Sequence, residues 1–168
     1  MVMLSRTVSN SASVNILPSF RMQSLTSLAV MVTFGSSPSI FGRSVIFVSN
    51  SRSIAIEVPG GMVDPGEDPQ DSAARELEEE TGYRCDAVVR TGKLRPNPAI
   101  QRNFLHTFVA LGARPDGQPA QEEREDIGTF EATWDEVDAM IRSGAIDHAL
   151  VIDSLEFARR ALAEGIGR

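Results

Sequence analysis

The sequence predicts an α+β fold, with helices packed on a mixed sheet. Three observations carry that expectation. Apolar runs of strand length recur along the chain, at 28–34 (LAVMVTF), 45–48 (VIFV) and 103–111. Two other segments carry full helix punctuation, one from Asp68-Pro69 to Gly82 and one from Thr133 to Gly144. The chain has 168 residues, 42% hydrophobic and 23% charged, which is room for one real core and a short appendage.

The elements follow in order. Neither apolar run near the N-terminus approaches the roughly 20 residues that span a membrane. Residues 54–58 (IAIEV) read as a short strand closed by Pro59-Gly60-Gly61. Asp68 offers an N-cap, and Pro69 suits the first helical position, where a missing N–H leaves nothing unsatisfied. That helix is expected to run to about Thr81, with Gly82 as the residue just past its end. Ala73, Ala74 and Leu77 supply its apolar stripe. Residues 85–93, 103–111 and 127–132 read as strands. Thr133 and Glu136 form a capping box for a helix ended by Gly144, and a last amphipathic helix covers about 147–163.

Charge divides the chain unevenly. None of the 23 acidic residues precedes Glu57, whereas residues 1–56 hold four arginines and fourteen serines. From Glu57 onward 12 basic residues face 23 acidic ones, a net charge of −11 against −7 for the whole chain. This surface argues against a nucleic-acid partner, which wants a basic stripe, and no membrane partner is expected. An anionic substrate has to arrive with a metal ion that neutralises it. Residues 1–53 therefore stand apart as an atypical Ser/Arg-rich segment, either partly disordered or a short β extension, ahead of a domain at 54–168. Their composition also matches an organelle transit peptide. The lone Cys85 leaves no internal disulfide and suits a reducing, cytoplasmic setting; it reads as a small buried apolar residue. His106 and His148 share no zinc spacing, and His106 reads as a satisfied, half-buried strand residue.

The chemistry concentrates in the first helix. Glu76, Glu79 and Glu80 are spaced so that their carboxylates leave one side of it, where like charges repel and weaken the helix. A bound divalent cation reverses that effect. Hard oxygen ligands suit Mg²⁺ or Mn²⁺, and Arg75 can hydrogen-bond a carboxylate and fix its orientation. Alone, the run at 78–80 would read as a solvated acidic face. It is not alone. Gly61, Glu67, Arg75, Glu76, Leu77, Glu79, Glu80 and Gly82 stand at the spacing G-x5-E-x7-R-E-U-x-E-E-x-G-U, with U a bulky apolar residue. Seven fixed matches arise by chance at roughly 10⁻⁹ per window. The segment GGMVDPGEDPQDSAARELEEETGY resembles the Nudix box at every fixed position, with Tyr83 where an aliphatic residue is commoner.

The resemblance implies a Nudix-type α/β/α sandwich with a catalytic loop–helix–loop. It implies Glu76, Glu79 and Glu80 as metal ligands, the Gly61 carbonyl as a further one, and Glu67 as a brace for the loop. Metal ions then clamp the pyrophosphate, and one lowers the pKa of an attacking water. Pro98, in RPNPAIQRNFLHTFVA, is similar to a proline of the ADP-ribose pyrophosphatase branch, although Pro96-Asn-Pro98 is turn chemistry in any fold. EEREDIGTF resembles that branch's acidic loop, which puts Glu123 at the base and Glu125 at a further metal ligand, though loop acids are usually just solvated. GAIDHALVIDSLEFA is similar to its closing helix. Arg52 stands ahead of the box where a substrate-contacting arginine is common, but the matching Gln is missing. The resemblance therefore implies a pyrophosphohydrolase with Glu123, Glu79 and Arg75 as catalytic residues, Arg52 and Pro98 toward a nucleotide-sugar substrate, and a homodimer. A damaged nucleoside triphosphate or a dinucleotide is the alternative substrate, and a silent nucleotide-binding module the alternative class. Removing about 40 N-terminal residues is expected to spare metal binding while weakening dimerisation.

Overall fold

The chain's central strand is the apolar run 104–111, and the other elements assemble about it. The computed structural model describes the backbone of residues 27–34 and 44–48, and residues 55–118, 120 and 128–166 in full. In chain order the elements are β1 Ser27–Phe34, β2 Ser44–Val48, β3 Gly60–Met62, α1 Pro69–Thr81, β4 Ala87–Leu94, β5 Phe104–Leu111, β6 Gly128–Ala132, α2 Trp134–Ser143 and α3 Ala149–Ala163. The main sheet has the order β3-β1-β5-β4. β1 and β5 are parallel and the other two pairs antiparallel, so the sheet is mixed as expected. β2 and β6 form a separate antiparallel pair.

Side chains alternate along β5 and serve two cores. Leu105 and Val109 join Val137, Ile146, Val151, Leu155 and Ala158 from the side of α2 and α3. Phe108 and Ala110 join Val63, Ala73 and Leu77 beneath α1. A strand buried on both faces reads as a near-continuous apolar run, which is what FLHTFVAL is. Cys85 packs half-buried against the α1 core, and burial pushes its thiol pKa up.

Helix punctuation is realised where it was read. Asp68 accepts from the Gln70 N–H at 2.8 Å, Pro69 opens α1, and Gly82 closes it in the left-handed conformation. Thr133 and Glu136 make both bonds of the capping box, and Gly144 ends α2. α3 begins at Ala149, two residues later than expected, because His148 takes the N-cap position.

One strand is displaced. Residues 55–58 lie outside any ladder, and the strand is β3, whose Gly60, Gly61 and Met62 pair with Val30, Ala29 and Leu28. The alternation of IAIEV reports packing instead: Val58 is buried in the α2/α3 core with Ile56 against it, while Glu57 meets His148. Burial and ladder pairing produce the same period, so pattern alone could not separate them.

β1 lies between β3 and β5, and β2 pairs with β6, so both strands before residue 54 are hydrogen-bonded to strands after it. The expectation for truncation changes with this. Deleting residues 1–40 takes a central strand from the sheet and strips one ladder edge from β5 and from β3. We expect loss of cooperative thermal unfolding and of metal binding together; a truncated chain with a native-like melt would contradict the pairing.

The α3 start carries a pH dependence. His148 Nδ1 lies 3.4 Å from Glu57 Oε1, and hydrogen bonding to Glu57 raises the histidine's pKa above its ordinary value, against an opposing effect of burial. A raised folded pKa favours the protonated, folded form. The contribution is complete below about pH 6.5, the unfolded value, and fades as pH rises through the folded one. Thermal melts at pH 5.5 and pH 8.5 should show a larger stability loss in wild type than in Glu57→Gln, where the difference shrinks.

Candidate active site

The turn that leads into α1 sets its geometry. Glu67 N–H donates to the Asp64 carbonyl at 3.0 Å, closing a β-turn in which Pro65 and Gly66 are central. Gly66 has φ 90°, the positive value a type II turn requires after proline. Asp64 N–H in turn donates to Glu67 Oε2 at 3.1 Å, so the glutamate's own side chain fastens the turn.

Arg75 then gathers the acids. Its Nε donates to Glu67 Oε1 at 3.1 Å and Nη2 to Glu67 Oε2 at 3.3 Å, a fork on one carboxylate. Nη1 donates to Glu79 Oε2 at 2.8 Å and lies 3.0 Å from Glu76 Oε1. The Arg75 hydrogen bond holds the Glu67 carboxyl below the usual range, and Glu67 in turn pushes the guanidinium pKa up. Glu80 is buried and accepts the Gly60 N–H at 3.1 Å. Glu78 turns away to Arg84 at 2.6 Å. The run 78–80 therefore divides three ways: Glu78 pairs with Arg84, Glu79 with Arg75, and Glu80 alone is buried.

The Glu76 carboxylate lies against Gly61. A Cβ there would meet its end, so the strand and that side chain touch. This close approach brings the Gly61 backbone, Glu76 and Glu80 to one place between β3 and α1. All the donors are hard oxygens, the set that fits Mg²⁺ or Mn²⁺. As they stand, no three acidic, histidine or cysteine side chains among the described residues are gathered closely enough to hold an ion. Glu79 is turned to Arg75, and bringing it to the others takes a side-chain rotation.

Pro98 sits apart, exposed in the turn between β4 and β5, where Gln101 N–H donates to the Asn97 carbonyl at 2.8 Å. Arg52, Glu123 and Glu125 lie outside the described residues. His106 is satisfied and more deeply buried than expected: Arg90 donates to its Nδ1, and burial, with Arg90 and Lys93 nearby, lowers its pKa. A neutral ring that accepts at Nδ1 carries its proton on Nε2.

Two contacts had no sequence signal strong enough to find them. Tyr83 Oη donates to Glu131 Oε1 at 3.1 Å, tying the end of the box helix to β6, and burial pushes its phenol pKa up to about 12. An aliphatic residue could not make this bond. The segment before 121–127 is also fastened to α1, through Gly117 N–H to the Gly82 carbonyl and Ala120 N–H to the Glu79 carbonyl, both at 2.9 Å.

The family model described as the NUDIX domain matches residues 39–155. The chain belongs to the Nudix family. Among its relatives, this Nudix chain is 30% identical over 103 residues to a methanol dehydrogenase activator of Bacillus methanolicus, covering 61% of this chain and 56% of that one. It is 40% identical over 91 residues to a CMP-5'-(N-acetyl-N-hydroxy-3-aminopropyl)phosphonate hydrolase of Streptomyces rubellomurinus, covering 52% and 42%. It is 26% identical over 104 residues to the ADP-ribose pyrophosphatase of Bacillus subtilis, covering 61% and 56%. The chain thus spans about half the length of the curated relatives it matches. A solved ADP compounds hydrolase shares the fold with a TM-score of 0.70 at 18% identity, covering 83% of this chain and 74% of that one.

Glu79→Gln and Glu80→Gln keep size and hydrogen-bonding capacity while removing charge. Each is expected to retain the wild-type melt and to lower turnover by roughly 10²–10³-fold or more, the scale of one lost charge-stabilising group. A folded Glu80→Gln chain with a near wild-type rate would remove it from the metal set.

Proposed function

We propose that this Nudix chain hydrolyses the pyrophosphate bond of ADP-ribose or a related nucleoside-diphosphate sugar, giving a nucleoside monophosphate and a sugar phosphate. The observation that carries the reading is the close approach of Gly61 to Glu76 beside buried Glu80, with Arg75 holding Glu67, Glu76 and Glu79 around it. Glu76, Glu79, Glu80 and the Gly61 carbonyl would hold Mg²⁺ or Mn²⁺, with Glu125 as a further ligand. When bound, the metal neutralises the anhydride oxygens and acidifies the attacking water. Arg75 orients the carboxylates and keeps the unliganded acids from repelling one another. Arg52 and Pro98 are assigned to the substrate.

Hydrolysis also needs a general base. The box glutamates are committed to cation or guanidinium, so their lone pairs are poorly available for a proton. Glu123 is assigned the task. Support comes from the described residues on either side: Ala120 N–H is bonded to the carbonyl of Glu79, and Glu131 accepts from Tyr83 just past the end of α1. The lone cysteine, unpaired, accords with a cytoplasmic setting.

A second reading, a nucleotide joined to something other than a sugar, draws support from the relative that acts on a CMP-linked phosphonate. The deciding experiment is product analysis over a panel of ADP-ribose, other nucleoside-diphosphate sugars, dinucleotides and nucleoside triphosphates with Mg²⁺. Cleavage of ADP-ribose to AMP with the highest kcat/KM supports the first reading, a triphosphate or dinucleotide optimum the second. No turnover of any compound would leave a silent binding module.

Glu123→Gln is expected to lower kcat by roughly 10²-fold or more with little change in KM, the signature of an interaction made only in the transition state. If Glu125→Gln is the crippling change instead, the base is misassigned by two residues.

A further inference from the structure

Opposite the acids of α1, the same face of the sheet carries a group of cations. Arg90 and Lys93 are three apart and in a regular strand would point to opposite faces. The register of β4 shifts between Arg90 and Gly92, so Arg90 stands opposite Phe108 and Lys93 opposite His106, both on the α1 side. Arg90 lies 5.7 Å from the Phe108 ring centroid; Lys93 Nζ and Arg95 Cζ share the Phe104 ring at 4.0 and 5.3 Å. Arg75, Arg84, Arg114, Arg159 and Arg160 have carboxylate partners. Among the described residues Arg90, Lys93, Arg95, Arg102 and Arg142 have none, and of these Lys93 and Arg95 are brought together over one ring. Two like charges over one ring repel, and a shared anion reverses that effect, as a metal does for the acids of α1.

A second observation comes from the neighbouring residue. Asn103, next to Phe104, has its Oδ1 buried with no hydrogen-bond partner among the described residues. An orphaned buried acceptor is destabilising, and a ligand donor would satisfy it. The register places Lys93. Gly61, Ala29, His106 and Lys93 form one row across four strands, so at about 4.8 Å per strand Lys93 lies roughly 14 Å from Gly61. That is too far to serve the anhydride at Gly61 and within the span of one nucleotide-sugar molecule.

We propose that Lys93, Arg95 and Asn103 form a subsite for a phosphorylated sugar on the part of the substrate remote from the cleaved anhydride. The two cations take the phosphate dianion, the guanidinium matching its geometry, and Asn103 Oδ1 accepts a sugar hydroxyl. The inference rests on the pyrophosphatase reading for its link to turnover, but its binding component is measurable alone.

The test is NMR titration of the full-length chain in EDTA with ribose 1-phosphate, whose phosphate lies at the end of the sugar away from the anhydride position, and with ribose. Ribose 1-phosphate is expected to bind roughly tenfold more tightly, one charge-assisted contact's worth. In Lys93→Ala/Arg95→Ala the two should bind alike, while Lys93→Arg keeps the preference. Asn103→Leu should weaken both sugars without lowering Tm, since it removes an unsatisfied acceptor. Equal binding of the two sugars by wild type, or a preference that survives the double substitution, overturns the subsite. A Tm drop in Asn103→Leu overturns the role of Asn103. In parallel, ADP-ribose and its analogue phosphorylated on the terminal ribose are assayed with Mg²⁺. A lower KM for the analogue, lost in the double variant at unchanged kcat, supports the link. If neither is hydrolysed while the sugar preference stands, the pyrophosphatase reading fails and the subsite remains.

Discussion

The structure around the candidate site depends on one guanidinium. Helix α1 places three carboxylates on one side and a fourth in the turn before it, with each like-charge pair at helical spacing costing about 0.2–0.5 kcal/mol. Partly exposed ion pairs return amounts of similar size, so Arg75, bonded to Glu67 and Glu79 and paired with Glu76, roughly cancels the repulsion. It does not hold the helix down. That is the work of Leu77 and Ala73, essentially without exposed surface beneath α1; full burial of a leucine alone is worth about 1.5–3 kcal/mol. Packing fixes where the helix lies, and the arginine makes its charge tolerable there. The same guanidinium fixes the turn through Glu67, and the turn follows directly on β3, where Gly61 meets Glu76.

What was legible in the sequence was what is local. The caps of α1 and α2 depend on residues within four positions of one another, and Asp68, Gly82, Thr133 and Gly144 all do what their residue types dictate. The box spacing acts through the helix, which turns spacing into direction: Glu76 reaches Gly61, Glu79 reaches Arg75 and Glu80 reaches the Gly60 N–H. The ladder was not legible. Nothing in LAVMVTF announces that it lies parallel to FLHTFVAL and not beside its sequence neighbours, because that choice is made by the whole sheet. The same holds for IAIEV, where an apolar alternation seated residues in a core and left the strand to two glycines and a methionine.

Tyr83 shows how a departure from a pattern carries information. At that position a bulky apolar side chain is enough to pack the end of the box. Tyrosine adds a hydroxyl that reaches Glu131 across the chain and joins the helix to the β2–β6 pair. β6 thereby has a fixed relation to α1 that the sheet itself does not give it. On the other edge, the β4 bulge re-aims Lys93 in the same economical way, one extra residue altering which face a charge occupies.

The parallel pairing of β1 with β5 also bears on how the molecule is made. A ribosome releases β1 long before β5 exists, and the first contact in their ladder joins Ser27 to Phe104. Until β5 has emerged, one edge of this apolar strand is open and β3 offers only three residues to the other. Contacts between distant parts of a chain close slowly, and a bare strand edge is a template for the wrong neighbour. Translation of this protein therefore includes an interval in which the nascent chain is adhesive. Holding chaperones or low expression temperature should govern its yield more than the stability of the finished fold does.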